Sequence, residues 1–292
     1  MKFTEILNKY NIPYIEEGSS HCRPGWVQLD CPQCGQDTQR WHLGYSLSDK
    51  YLNCWKCGSK SLIQTIKILT GLSYDRCLKL LKGIKSETQR IEIVKGKLSL
   101  PKYTNTLPHP HRHYLRGRGF DPDEIVRLWQ VKGIEIASEY SWRLLIPVVY
   151  QGKIISWSTR TISKNPDIIR YIHAPKEREQ IPLKTILYGN DYVRHAVIIN
   201  EGFTDVWNVG PGAVATMGLG YTISQVFHMI RYPVRAVCFD RGVEAQKRAK
   251  KLCDDLSAFP GETFNVELKA NDPGCASKKE IKQLRKEIFG NE

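Results

Sequence analysis

From Arg194 onward the chain alternates short apolar runs with stretches of helical spacing. "HAVIIN", "AVATM", "RAVCFD" and "FNVELK" read as buried strands. Between and after them, "TDVWNVG", "TISQVFHMI", "VEAQKRAKKLCDDL" and "SKKEIKQLRKEIF" read as helices, the third with Ala245, Ala249, Leu252 and Leu256 on one face. Strands alternating with helices build a parallel, doubly wound sheet. In such sheets ligands bind outside the carboxyl ends of the strands.

Earlier parts of the chain carry other patterns. "MKFTEILNKYNIPY" is a short amphipathic helix. "RWHLGYSLSDKYLN" alternates as a hairpin does, and "SLIQTIKILTGLSYDRCLKLL" reads as two helices broken at Gly71 and restarted with Ser73 as N-cap. Helical periodicity fades within 86–108, where Lys, Thr and Pro accumulate, so a linker is expected there. "HRHYLRGRGF" opens a new unit, followed by a helix in "DPDEIVRLWQV" capped by Asp121 with Pro122 at its first position. "RLLIPVVY", a turn at Gln151-Gly152 and "KIISWSTRTI" form a hairpin, and "RYIHAP" and "KTILYGN" continue this strand-like text.

Charge narrows the choice of partner. Lys and Arg outnumber Asp and Glu 43 to 30 over 292 residues, a formal net charge of +13 with a pI near 9.3. A polyanion is the expected partner, nucleic acid first among them. In the middle third, Arg118, Arg143, Arg160, Arg170 and Lys184 recur at strand ends and turns with few acids to match them. A solvated face explains each one singly; together they suggest a basic groove. No apolar run approaches the roughly 20 residues of a membrane span, and the amino-terminal helix lacks the uninterrupted apolar core of a signal peptide. A cytoplasmic location is expected.

Nine cysteines are an odd count for a secreted disulfide framework. Cys22, Cys77, Cys238, Cys253 and Cys275 are scattered, most simply as small core residues in a reducing compartment. The other four form "CPQCG" and "CWKCG". Nineteen residues lie between Cys34 and Cys54, within the range of a structural zinc site built from Cys31, Cys34, Cys54 and Cys57. Two residues between thiolates let one tight turn present both sulfurs at about 2.3 Å from one ion. His21, Cys22 and His42 are spare ligands that a four-sulfur site does not need. Trp41, Tyr45, Tyr51 and Trp55 interleave with Arg40, Lys50, Lys56 and Lys60. Such rings stack unpaired bases, or they form the ribbon's own miniature core, the simpler assignment for any one of them.

Three strands of the final third deliver an acid at the ligand-binding edge: Glu201 after "VIIN", Asp240 after "AVCF" and Asp272 beyond "VELK". Two carboxylates about 4 Å apart repel by roughly 4 kcal/mol at an effective dielectric of 20. Three at one edge call for a cation, and oxygen ligands suit Mg²⁺ or Mn²⁺. The competing assignment is a set of helix caps and loop acids in an unrelated α/β domain.

These residues resemble a known pattern. "EGFTD", "MGLG", "CFD" and "NDPG" in this order are similar to the Toprim fold of topoisomerases and bacterial-type primases. The four-cysteine ribbon stands where bacterial and phage primases carry theirs, and "YLRGRG" resembles the Tyr-Leu-x-x-Arg-Gly element that opens their RNA-polymerase domain. "RLLIPVV", "GKIISWSTR", "RYIHAP" and "KTILYG" resemble that domain's basic half. The likeness covers almost the whole chain and is closest to the primase half of phage primase-helicases. It implies an α/β fold with a zinc-ribbon DNA-binding domain (1–85), a linker (86–108), a mixed α+β basic subdomain (109–190) and a parallel-sheet Toprim subdomain (191–292).

By the same resemblance, Glu201 is a metal ligand or the acid-base group at the reacting hydroxyl, and Asp205 is the second acid of that motif. Asp240 and Asp272 hold catalytic Mg²⁺ or Mn²⁺ with Glu201. The five cations contact template and nucleotide phosphates, with Lys184 nearest the triphosphate. Gly202 and Gly218 let the backbone pass close to the site. The implied activity is synthesis of short RNA primers on single-stranded DNA from ribonucleoside triphosphates, in a bacterial cell or a phage-infected host. No Walker-type loop occurs, so a separate replicative helicase is the expected partner. One departure stands out: "FDRGVEAQ" puts Gly242 where the family's Asp-x-Asp has its second aspartate. Either one metal is held more loosely, or Glu244 substitutes, or activity is weak or lost. The last outcome leaves a zinc protein that only binds single-stranded DNA. A nuclease pairing a zinc ribbon with a Toprim domain would lack the region from "YLRGRG" to "KTILYG".

Overall fold

The computed structural model describes residues 2–16, 19, 22, 25–35, 39–47, 50–84, 97–104, 106–136, 139–218 and 220–290. His21 and residues 86–96 of the expected linker lie outside them. The chain divides into two compact units, one of residues 1–91 with 254–259 and one of residues 92–253 with 260–292.

In the first unit, α1 (Phe3–Lys9) precedes an antiparallel meander of β1 (Tyr14–Ile15), β2 (Trp26–Leu29), β3 (Leu43–Ser46), β4 (Leu52–Cys54) and β5 (Gly58–Lys60). Alternation along the strands sends Val27, Leu29, Leu43, Tyr45 and Leu52 to one buried face, where Phe3, Ile6 and Leu7 of α1 join them. Phe3 stacks on Tyr45 with ring centroids 3.7 Å apart. Two helices follow, α2 (Leu62–Thr70) and α3 (Tyr74–Lys82). Gly71 ends α2 in the left-handed region (φ +68°), its N–H donating to the Lys67 carbonyl at 2.9 Å. Ser73 holds the N-cap position of α3, but its side chain makes no capping bond.

The second unit opens with α4 (His109–Gly117) and α5 (Pro122–Trp129). Asp121 caps α5, accepting from the Asp123 N–H at 2.9 Å. A four-stranded antiparallel sheet follows in the order β6 (Lys132–Ile134), β7 (Arg143–Tyr150), β8 (Lys153–Thr161) and β9 (Tyr171–His173). Gln151 (φ +52°) and Gly152 (φ +73°) turn the β7–β8 hairpin, matching the strands' twist. The "KTILYGN" segment does not join this sheet. Leu183–Thr185 is a 3-10 turn, and Tyr188 pairs antiparallel with Ala215 instead.

The remaining elements are β10 (Ala196–Asn200), α6 (Phe203–Val209), β11 (Ala213–Ala215), α7 (Ile223–Met229), β12 (Val234–Val237), α8 (Val243–Ser257), β13 (Glu262–Asn265) and α9 (Lys278–Phe289). The strands form a wholly parallel sheet in the order β11-β10-β12-β13. Its central members are buried and mostly apolar, as a strand covered on both faces is, with Asn200 and Arg235 their polar residues. Ala245, Ala249, Leu252 and Leu256 of α8 are buried. The last strand starts and ends earlier than "FNVELK" suggests. It pairs with β12 alone, and that partner ends at Val237, opposite Asn265. Among the described residues no helix is long and apolar enough to cross a membrane.

Candidate zinc centre and candidate active site

The four cysteines of the first unit converge. All four Sγ atoms lie within 4.8 Å of one another, with Cys31–Cys57 at 3.7 Å and Cys34–Cys54 at 3.5 Å. Zn–S bonds of about 2.3 Å in a tetrahedron place sulfurs about 3.8 Å apart, so the cluster fits one zinc ion. Burial, with hydrogen bonds from the other thiols, raises the Cys34 thiol well above its ordinary value. Crowded thiols of this kind want a metal to carry their charge. Asp30, which the spacing of cysteines does not flag, steadies the first knuckle. Its carboxylate accepts from the N–H groups of Gln39 (2.7 Å), Arg40 (3.0 Å) and Trp41 (3.0 Å).

The ribbon's aromatics divide. Tyr45 and Tyr51 are buried, as core. Trp55 is 43% exposed and packs against Gly44, where an added Cβ would come 2.1 Å from its ring. Trp26 meets Trp55 edge-on with centroids 5.6 Å apart. Of the scattered cysteines, Cys22, Cys77 and Cys238 are buried as expected, whereas Cys253 is half-buried and Cys275 exposed. Cys275 closes a 3-10 turn whose buried residues are Pro273 and Gly274.

In the second unit β10 and β12 are adjacent, with β11 beyond one and β13 beyond the other. The crevice at their carboxyl ends is therefore the switch point of the sheet, where bound ligands collect. A cavity of about 290 Å³ opens there, with Glu201, Asp205, Asp240 and Asp272 in its wall. Glu201 follows β10 directly and is 8% exposed, and the Asp240 N–H donates to its Oε1 at 3.2 Å. Its own carbonyl accepts from Gly218 N–H at 2.9 Å, where the chain turns with φ +119°, a conformation that favours glycine.

Asp205 acts at both ends. Oδ2 accepts from Gly202 N–H at 2.8 Å, bracing the start of α6, and Oδ1 accepts from Gly274 N–H at 3.1 Å. The second bond holds the 3-10 turn Pro273–Cys275 that Asp272 precedes, and Asn208 of α6 donates to Pro273 and Ala276 carbonyls in the same turn, each at 2.8 Å. A Cβ at position 274 would come 2.7 Å from Asp205 Oδ1 and 3.2 Å from Asp272 Oδ1. Gln246 of α8 donates to the Asp240 carbonyl at 2.9 Å and accepts from Asn265 of β13 at 3.2 Å, tying three elements to the Asp240 backbone.

Electrostatics mark the site as short of positive charge. Burial and the Asp240 carboxylate push Glu201 up to about 7. Burial, then Asp240, push Asp205 up to about 7, and Asp240 itself is raised by burial and by Asp272. Asp240 Oδ1 is buried without a hydrogen-bond partner among the described residues. A hard divalent cation answers all of these at once. Among the described residues no three carboxylates come as close as the four sulfurs do. Magnesium does not require it, because one or two carboxylates with waters and phosphates complete its shell.

The same cavity also carries cations. Arg118, Arg160 and Arg170 line the cavity, with Tyr171 and His173 beside them. Arg143 and Lys184 do not. Arg143 is 5% exposed, and its guanidinium donates to the carbonyls of Ile169 and Arg170. The Lys184 ammonium spends its three protons on the carbonyls of Thr216 (2.9 Å), Met217 (2.8 Å) and Gly220 (3.0 Å), and burial lowers its pKa. Its work is to fold the loop around Gly218. Glu244 also stands apart, exposed and paired with Lys247 at 2.7 Å, so it does not fill the place that Gly242 leaves. Tyr171 and His173 follow Arg170 on a period-two strand, the one signal by which the sequence could have offered them. Burial and the Lys184 charge hold His173 below the usual histidine range.

A four-cysteine ribbon with an antiparallel sheet and a parallel α/β sheet is the fold of bacterial primase structures. The zinc-binding and RNA-polymerase domains of the Aquifex aeolicus primase superpose with a TM-score of 0.55 at 18% identity, over 99% of this chain and 83% of that one. A DnaG catalytic core gives 0.52 at 16% identity, over 63% and 74% of the two chains. The E. coli primase catalytic core gives 0.51 at 15% identity, over 61% and 73%. No protein-family model and no curated protein matches the chain.

Proposed function

We propose that the protein is a DNA primase, a nucleotidyltransferase that copies single-stranded DNA into short RNA primers. The observation that carries this reading is one cavity lined by four acids and three arginines. Acids alone would suit many metal enzymes, and arginines alone any polyanion site. In one cavity, they suit a reaction in which a polyphosphate meets a hydroxyl.

Glu201, Asp240 and Asp272 would hold Mg²⁺ or Mn²⁺, as the Toprim resemblance implies, and Asp205 would keep Asp272 in place. The ion, when bound, would ease ionisation of the attacking 3′-hydroxyl and neutralise charge on the triphosphate. Arg118, Arg160 and Arg170 would orient template and nucleotide phosphates, so that catalysis rests on positioning and electrostatics. His173, neutral at the cavity wall, offers a hydrogen bond without adding charge. The ribbon of residues 1–85 would bind template, with Trp55 the exposed ring for stacking a base. A separate helicase would supply the unwound strand.

The test is incubation with single-stranded DNA, Mg²⁺ or Mn²⁺ and labelled ribonucleotides. New oligomers that disappear in Glu201→Gln support the reading. Gly242 favours a second one, since Glu244 does not replace the missing acid. In that reading the protein binds single-stranded DNA and synthesises little or nothing, and the same assay would show binding without product.

A further inference from the structure

Arg160 is 5% exposed yet lines the cavity. A guanidinium so enclosed must be held, and two tyrosines hold it. Nε donates to Tyr114 Oη at 2.7 Å, Nη1 donates to Tyr171 Oη, and the cation lies 4.9 Å from the centre of the Tyr171 ring. Among the described residues Nη2 takes no hydrogen bond, and it is not among the buried orphans. That leaves one edge of the fork for a ligand. Tyr114 Oη also lies 3.5 Å from Arg118 Nη1, so one phenol oxygen, with two lone pairs, serves both arginines. Tyr114 itself is not part of the cavity wall.

We propose that Tyr114 is a positioning residue that fixes Arg160, and the spacing between Arg160 and Arg118, for the phosphates of the incoming polyanion. This rests on the proposed reading of the cavity as a phosphate site. The tyrosine lies on α4 and Arg160 on β8, so the phenol also joins the helix to the sheet at the cavity. Burial by itself would raise the Tyr114 phenol, but the charges and hydrogen bonds of Arg160 and Arg118 outweigh it, and the net shift is downward. The oxygen is thus the acceptor from both guanidinium groups. The bond is also directional, since Nε and one Nη are committed and the fork cannot rotate.

The test uses the full zinc-loaded chain with inorganic tripolyphosphate and oligothymidylate as probes. Tyr114→Phe removes only the oxygen. Its expected result is weaker tripolyphosphate binding, by about tenfold, with the salt slope for oligothymidylate reduced by about 0.7, the share of a single phosphate. The zinc content should stay the same. A merely structural role is separated by a cycle with Arg160→Lys, which keeps the charge but has no fork. In the double variant the cost of Tyr114→Phe should vanish. Wild-type affinity and slope in Tyr114→Phe, additive costs in the cycle, or no tripolyphosphate binding by the wild type would each overturn the proposal. Should Tyr114→Phe fail to fold, the Arg160 Nε–H of the wild type is read by NMR. Protection from exchange supports the bond, and rapid exchange overturns it. A wild type that binds tripolyphosphate but makes no oligomers defeats the polymerase reading and leaves Tyr114's role standing.

Discussion

The Asp240 N–H donates to Glu201 Oε1 at 3.2 Å, joining the ends of two adjacent parallel strands. The bond costs little to make, because both residues are already placed by β10 and β12. It nevertheless leaves two carboxylates in one small volume, and the structure shows the consequence. Glu201 and Asp205 are each pushed up to about 7, by burial first and by Asp240 next.

A pH dependence follows. In the folded chain these two groups keep their protons up to about pH 7, whereas in the unfolded chain they lose them near 4.5 and 3.8. Between those values the folded form binds more protons, so without divalent ions stability falls as pH rises from about 4 to about 7. A bound cation favours the ionised form and reverses the trend. Thermal melts should show a Mg²⁺-induced rise in Tm that is small at pH 5 and grows by pH 8. In Glu201→Gln the metal-free Tm should rise and the metal-induced increment should shrink. A Mg²⁺ effect independent of pH would show that these carboxyls do not face the ion.

The zinc site predicts a separable transition. The ribbon core gathers around Cys31 and Cys54, apart from the larger core that includes Ile198 and Ala236. Structural zinc contributes on the order of 10–16 kcal/mol to modules of this kind. Chelation, or Cys54→Ser, should unfold the first unit and leave the far-ultraviolet signal and melting of the second largely intact. Limited proteolysis with and without a chelator checks this: new cleavage confined to residues 1–91 and 254–259 is the expected pattern.

The arginines separate by occupation. Arg143 is itself buried and satisfies the carbonyls of Ile169 and Arg170, so Arg143→Gln should cost on the order of 1–3 kcal/mol of stability. Arg170 is exposed at the cavity, so Arg170→Ala should leave Tm nearly unchanged. It should instead weaken single-stranded DNA binding and reduce the salt slope by about 0.7. Melting curves beside salt titrations of oligonucleotide binding distinguish the two, and the reverse pattern would exchange their roles.

This division was not legible in the sequence, and the reason is physical. Zinc ligands announce themselves through spacing, since two thiolates of one knuckle are local in the chain. Parallel strands announce themselves too, because Val197, Ile198 and Ile199 have no face left for water. The occupation of a cation depends on which carbonyls tertiary folding brings to it. Lys184 meets Thr216, Met217 and Gly220 across more than thirty positions, and Arg160 meets Tyr114 across 46. No local periodicity encodes such a meeting. The end of β13 is hidden for a similar reason: its own residues favour continuing, but its partner stops at Val237.

Gly242 offers the sharpest prediction. Its carbonyl accepts from Gln246 N–H at 2.9 Å within the first turn of α8, its φ lies outside the left-handed region, and an added Cβ would meet nothing within 4 Å. A side chain therefore costs neither strain nor a clash, and glycine is not required there by the backbone. Gly242→Asp should fold as the parent does and add a fifth carboxylate two residues after Asp240. Placed at the start of α8, that charge is also favoured by the helix dipole. If the position faces the ion, Mn²⁺ affinity should rise roughly tenfold or more, the scale on which residues around a metal site alter its binding. Primer synthesis should rise with it. Titration of Mn²⁺ by electron paramagnetic resonance, beside the ribonucleotide assay, reads both quantities. Tighter Mn²⁺ binding without synthesis would mean that the missing acid is not what limits the chemistry. Unchanged binding would mean that this edge of the cavity lies beyond the ion's reach.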